Sequence, residues 1–306
     1  MHLRILCLHG MGVDADVFRA QSSSFRSLLS EGYKFTFVNG PVFCDPSPGA
    51  AEFYDGPYRC WFDTPTREKV ERSHQQMVEY IDNAGGFDLV MGFSQGAALA
   101  ASMILHHQLD NPEASPLFKG AIFICSPLPF SRSTEYGIDV REHFGVKSDI
   151  KISRPTAIPT YLIADKYFLR NDEDLSGSEE SNSTASSSTR SRTGNSSSPN
   201  TPGSTDLARG FQPGKLEKAL HGADAEEPFY NIFHPDVDSA RIEIPSGHIY
   251  GKEDGWRRHS MDLIRLCDPD KGVYSFEHDG GHEIPRHASE EICDLFEDVI
   301  MRAMLS

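Results

Sequence analysis

The 306-residue chain carries 45 acidic and 29 basic side chains, a formal charge of −16 at pH 7. That balance argues against a nucleic-acid partner, because phosphate binding requires concentrated lysine and arginine. No apolar run approaches the roughly 20 residues of a membrane helix, the first residues read as a core strand rather than a signal segment, and the six cysteines are scattered like reduced thiols; the expectation is a cytoplasmic protein built on one α/β core, without membrane contact.

In chain order, Leu3-Arg4-Ile5-Leu6-Cys7-Leu8 predicts a first strand that runs into the loop His9-Gly10-Met11-Gly12, followed by a helix over 14–29. A second strand is expected over 34–38. Residues 40–62 are rich in Pro and Gly yet carry Phe43, Phe53, Tyr54, Tyr58, Trp61 and Phe62, which predicts an ordered loop held by aromatic burial. Trp61 is expected to support that loop, with a place in a substrate wall as its alternative. The apolar run Phe87-Asp88-Leu89-Val90-Met91 precedes Gly92-Phe93-Ser94-Gln95-Gly96, and the small residues Ala97-Ala98-Leu99-Ala100-Ala101 follow. This reads as strand, sharp turn and helix, the setting of a nucleophile elbow, in which a strained serine needs neighbours without bulk. The pentapeptide alone would also suit an ordinary Gly/Ser turn; the strand and helix around it weigh against that.

Beyond residue 126 the composition changes. Residues 172–205 are Ser, Thr, Asn and Gly with scattered charges, and Leu175 is their one large aliphatic side chain. That is too little apolar surface to offset the entropy of ordering, so the tract is expected to be disordered. On either side of it, residues 130–169 and 211–232 hold aromatic and aliphatic side chains. They are expected to pack as a cap beside the carboxyl end of the sheet, where α/β proteins form their sites. Phe130, Tyr136, Phe144, Tyr167 and Phe168 are its candidate wall residues, although the plainer reading makes most of them packing residues of the insertion itself. The core is thus assigned to 1–126 and 241–306, and the cap to 127–240.

A serine hydroxyl is a weak nucleophile near neutral pH, so an elbow calls for a base, an acid to orient it and oxyanion donors. Gly280-Gly281-His282 lies on a loop between a strand over 273–278 and an amphipathic helix over 288–304, which makes His282 the leading base. His278, in or beside that strand, is the local competitor. Two strand ends offer an acid, Asp165 and Asp254; Asp254 leaves room for one helix and one strand before His282, whereas Asp165 would place a low-complexity tract between them. An exposed helix N-cap is the plain alternative for Asp254. The oxyanion donors are expected to be the amides of Gln95 and Met11, with Gly12 next in line and His9 buttressing the loop. The histidine interval in His282-Glu283-Ile284-Pro285-Arg286-His287 is wrong for H-E-x-x-H, so no metal is expected.

Leu8-His9-Gly10-Met11-Gly12, Asp16-Val17-Phe18-Arg19-Ala20-Gln21, Gly92-Phe93-Ser94-Gln95-Gly96-Ala97, His248-Ile249-Tyr250-Gly251-Lys252-Glu253-Asp254 and Gly280-Gly281-His282-Glu283-Ile284-Pro285 together resemble the fungal family of serine hydrolases. That family includes small α/β-hydrolases and the stand-alone thioesterases that release polyketides from fungal synthases, such as the one of the lovastatin pathway. The likeness spans about 1–126 and 241–306, while the middle of this chain is longer than in typical members. It implies an α/β-hydrolase fold, a triad of Ser94, Asp254 and His282, no cofactor, and a polyketide or fatty acyl thioester substrate. An acyl carrier protein is the implied presenting partner; Arg257 and Arg258, or Arg132, could offer it only a small basic patch, and plain solvation is the preferred reading of these arginines. Two rival functions follow from the same residues: a general carboxylesterase on small oxygen esters, and a catalytically silent binding module, against which the intact triad counts.

Overall fold

The computed structural model describes residues 2–141 and 231–305. Asp165, Phe144, Tyr167, Phe168, the tract 172–205 and most of the expected cap lie outside the described residues. The chain begins with β1 (Leu3–Leu8), α1 (Ala15–Gln21), α2 (Ser23–Arg26), β2 (Tyr33–Val38) and the hairpin of β3 (Val42–Phe43) and β4 (Arg59–Cys60). It continues through α3 (Arg67–Asn83), β5 (Leu89–Phe93), α4 (Gln95–Asp110) and β6 (Gly120–Ile124). Three short strands follow, β7 (Phe130–Ser131), β8 (Ile138–Asp139) and β9 (Asn231–Ile232). The last part is β10 (Ser246–Gly251), the helix Arg257–Arg265, β11 (Val273–His278) and the closing helix Ser289–Leu305.

Successive side chains of a strand point to opposite faces, and a parallel sheet must bury both. In β1, Leu6 and Leu8 join one apolar cluster while Leu3, Ile5 and Cys7 join another. Val90 against Leu89 and Met91, and Ala121 and Phe123 against Ile122 and Ile124, divide in the same way. Residues of α3, α4 and the helix Arg257–Arg265 complete the first cluster; Phe18, Phe25 and the closing helix complete the second. Between them lies a six-stranded sheet in the order β11-β10-β6-β5-β1-β2, with every pairing parallel. This is an α/β-hydrolase core. No helix among the described residues is long and apolar enough to cross a membrane.

Three local expectations change. The predicted helix over 14–29 breaks at Ser22, whose hydroxyl donates to the Phe18 carbonyl at 2.8 Å; serines compete with the helix for its own carbonyls. In the loop over 40–62, Trp61 and Phe62 are buried but Phe43 and Phe53 are exposed. Hydrogen bonds do part of the holding there, such as Tyr54 Oη to Asp14 Oδ2 at 2.6 Å. Finally, the ends of the expected cap belong to the core: β7, β9 and β8 form a small antiparallel sheet, and Phe130, Ile138, Val140, Ile232 and Phe233 sit in the first cluster.

Buried histidines make the fold acid-sensitive. Burial pushes His106 and His248 down to about 3, and carries His74 well below the usual range. These rings are neutral in the fold, while the unfolded chain takes up protons near pH 6.5, so stability falls as pH drops from that value toward 3. By pH 5.5 His106 and His248 each cost roughly 1.4 kcal/mol relative to neutral pH, and His74 acts in the same direction. Thermal melts should show Tm several degrees lower at pH 5.5 than at 7.5; equal values would contradict this account.

Candidate active site

Ser94 occupies the turn between β5 and α4 with φ 52° and ψ −121°, a left-handed φ that only a well-constrained non-glycine residue holds. Its amide donates to the Ile124 carbonyl at 2.9 Å, which ties the turn to β6. The flanking glycines are required by close approach. A Cβ on Gly92 would lie 2.4 Å from the Ala97 Cα and N, and one on Gly96 would lie 2.2 Å from the Leu8 carbonyl oxygen. Gly96→Ala is therefore expected to destabilise the protein by roughly 3 kcal/mol or more, since backbone on both sides cannot yield. A thermal melt within a degree of wild type would refute this.

Asp254 and His282 meet because sheet pairing continues past the strands. In the β10–β11 register Gly251 stands opposite His278; beyond it Lys252 N donates to His278 O at 2.8 Å and Glu253 N to Gly280 O at 3.0 Å. The Asp254 carboxylate then lies 3.0 and 3.1 Å from His282 Nδ1 and accepts from the Trp256 amide at 2.8 Å. The other ring nitrogen, Nε2, is 2.9 Å from Ser94 Oγ. A carboxylate facing Nδ1 holds the proton there, which leaves Nε2 free to accept from the serine hydroxyl. The Asp254 side chain is fully buried and that of His282 is one-third exposed. Burial alone would raise the Asp254 pKa, but the hydrogen bond and charge of His282, the Trp256 amide and the Cys125 thiol outweigh it and hold the carboxyl below its ordinary value. Asp254 is not an exposed cap; Trp256 holds the N-cap position of the following helix. His278 stands outside this chain of bonds: its Nδ1 accepts from the Gly280 amide at 3.1 Å and shapes the loop.

The expected oxyanion region is built on the His9–Gly12 loop. Gly10 packs on Ser94, so a Cβ there would stand 3.2 Å from the Ser94 Cβ, and Met11 follows with a partly exposed side chain. Gly12 is engaged elsewhere, its amide donating to Arg59 O at 2.9 Å. His9 buttresses the loop: Nδ1 donates to Gly10 O at 2.7 Å and Nε2 accepts from the Gly40 amide at 2.8 Å. Burial lowers its pKa and keeps the ring neutral. Gln95 is locked at both ends of its side-chain amide, accepting from Trp61 N at 2.9 Å and donating to Phe62 O at 2.7 Å.

Trp61 and Phe130, the two rings considered for a substrate wall, are both buried. Trp61 is 2% exposed, and its Nε1 donates to His9 O at 2.9 Å, so the ring is pinned beneath the loop. Phe130 is 6% exposed and meets Phe62 edge to face. Both rings gain more by joining the core than a solvated wall position would give. The arginines expected near the mouth are neutralised in part: Arg132 pairs with Glu71 and Asp110, and Arg257 with Glu277. A cavity of about 550 Å³ between α3 and α4, lined by Glu71, His74, His106 and Arg132 among others, includes none of the site residues. Sequence reasoning missed Cys125, which ends up buried against Asp254; nothing in Ile124-Cys125-Ser126-Pro127 marks it.

The family profile described as Serine hydrolase (FSH1) matches residues 1–165 and 194–292. The chain is 28% identical over 289 residues to Esterase alnB of Emericella nidulans, covering 94% of this chain and 92% of that protein. It is 25% identical over 324 residues to Hydrolase FUB4 of Fusarium oxysporum f. sp. lycopersici, covering 99% of each. Probable esterase tazC of Aspergillus terreus is 36% identical over 135 residues, 39% of this chain and 51% of that one. Among solved structures, a Bacillus cereus carboxylesterase matches at 12% identity with a TM-score of 0.47, over 97% of this chain and 89% of that one.

Proposed function

Because the chain belongs to the FSH1 serine hydrolase family, we propose that Ser94 is its nucleophile, His282 the general base and Asp254 the orienting acid of an acyl-transfer enzyme whose substrate is a polyketide or fatty acyl thioester. The observation that carries this reading is the unbroken path from the Asp254 carboxylate through both nitrogens of His282 to Ser94 Oγ. His282 Nε2 takes the hydroxyl proton as Ser94 Oγ attacks the thioester carbonyl, and Asp254 stabilises the imidazolium without taking the proton. The amides of Gln95 and Met11 receive the developing oxyanion. The imidazolium returns its proton to the departing thiol, and water or a hydroxyl of the acyl chain then resolves the acyl-enzyme to a free acid or a lactone.

The choice of thioester follows the resemblance to polyketide-releasing thioesterases; a phosphopantetheine arm on an acyl carrier protein is the presenting group that suits it. The second reading, turnover of small oxygen esters, is favoured by the name esterase that several relatives bear. Matched measurements on an acyl thioester and a short aryl ester separate the two. We expect kcat/KM to favour the thioester roughly tenfold or more. The reverse ratio would make the protein a carboxylesterase.

A further inference from the structure

The Cys125 thiol, the Asp254 carboxylate and His282 Nδ1 present sulfur, oxygen and nitrogen atoms that all lie within 4.8 Å of one another. We propose that these three side chains form an inhibitory site for a thiophilic divalent cation, Zn²⁺ foremost, which disables the base without touching the nucleophile. The proposal rests on the reading of His282 as the base for Ser94. The ion is an inhibitor rather than a resident cofactor.

Sulfur, imidazole and carboxylate are the ligand types Zn²⁺ takes, and three protein ligands with an open fourth position is a common arrangement for it. With Zn–S near 2.3 Å and Zn–N or Zn–O near 2.0 Å, tetrahedral ligands stand roughly 3.3–3.5 Å apart. His282 Nδ1 and the carboxylate, now 3.0–3.1 Å apart, need to separate only slightly. Cys125 is aimed by the backbone: it follows β6 with φ 49°, and its Sγ donates to Glu283 O at 3.4 Å while lying within 4.8 Å of the carboxylate that His282 bonds. The approach is from the His282 side, where the ring is partly exposed and the two preceding residues, Gly280 and Gly281, carry no side chain.

Binding displaces two protons. The thiol proton leaves to solvent, and the proton on His282 Nδ1 reappears on Nε2, because an imidazole metallated at one nitrogen and neutral overall carries its proton on the other. One Zn²⁺, one thiolate and one carboxylate sum to zero charge, a tolerable state for a buried site. Nε2–H can then only donate to Ser94 Oγ, so the serine keeps its proton and acyl transfer stops.

The test compares wild type with Cys125→Ser, each normalised to its own metal-free turnover. Zn²⁺ should inhibit wild type reversibly, with activity restored by EDTA, and the half-inhibitory concentration should rise at least ~10-fold in Cys125→Ser. Mg²⁺, which demands oxygen ligands in an octahedron, should not inhibit. Co²⁺ should give a thiolate-to-metal charge-transfer band with wild type and with Ser94→Ala, and none with Cys125→Ser. Equal Zn²⁺ sensitivity in Cys125→Ser, or a band that survives in it, overturns the site. Asp254→Asn supplies a second check if Cys125→Ser misfolds: its Co²⁺ band should need a markedly higher concentration, and an unchanged titration overturns the proposal. Because the band reads binding without turnover, it stands or falls separately from the assignment of Ser94, which probe labelling decides.

Discussion

Ser94→Ala should abolish covalent labelling by a fluorophosphonate probe and lower kcat/KM by roughly a millionfold while leaving the protein folded. The hydroxyl's partner in the structure is His282 Nε2, and alanine keeps the Cβ that the turn already accommodates, so little stability is at stake. What survives should be the weak catalysis of binding and the oxyanion donors, roughly 10³–10⁴ over water. Labelling that persists in Ser94→Ala would place the nucleophile elsewhere. Folded wild type that the probe never labels would instead favour the silent binding module.

Asp254→Asn should cost about 10⁴-fold in kcat, while Asp165→Asn should stay near wild type. Asparagine can still accept from the Trp256 amide, so the loop keeps its shape. Its amide group, however, can turn a donor toward His282 Nδ1, which favours the tautomer with the proton on Nε2 and makes the ring useless as a base toward Ser94. In wild type the Asp254 carboxyl is held below its ordinary pKa, so this orienting charge is present throughout the neutral range and is lost only as pH falls through that depressed value. Single-turnover kinetics of both variants would decide the acid. Activity that survives at Asp254→Asn and collapses at Asp165→Asn reverses the assignment.

Several features were legible because their physics is local. The elbow shows in five residues, since a strained serine requires neighbours without side chains and the apolar run before it must be a buried parallel strand. The choice of His282 over His278 was also within reach: a residue inside β11 is held by the sheet, whereas one two glycines past it can be carried to another strand's end. The break at Ser22 was not legible, because the competition of one hydroxyl with a helical carbonyl is a small local energy decided by packing around it. Loop support was the expected role of Trp61, and its ring is pinned there, whereas the place of Phe130 was opaque. An aromatic ring looks the same in sequence whether it walls a pocket or fills a core, and here Gln95 and His9 draw Trp61 under the loop while Phe62 and Ser102 hold Phe130.

By itself, then, the sequence determined the parallel α/β core, through apolar runs buried on both faces, and the order in which serine, acid and histidine occur along the chain. Tertiary structure alone decided which atoms meet. The β10–β11 pairing carries Lys252 and Glu253 onto His278 and Gly280, and so delivers Asp254 to His282 Nδ1. The end of β6 turns Cys125 into the same space. Convergence of this kind depends on backbone hydrogen bonds between segments far apart in the chain, and a linear pattern of side chains does not encode those distances.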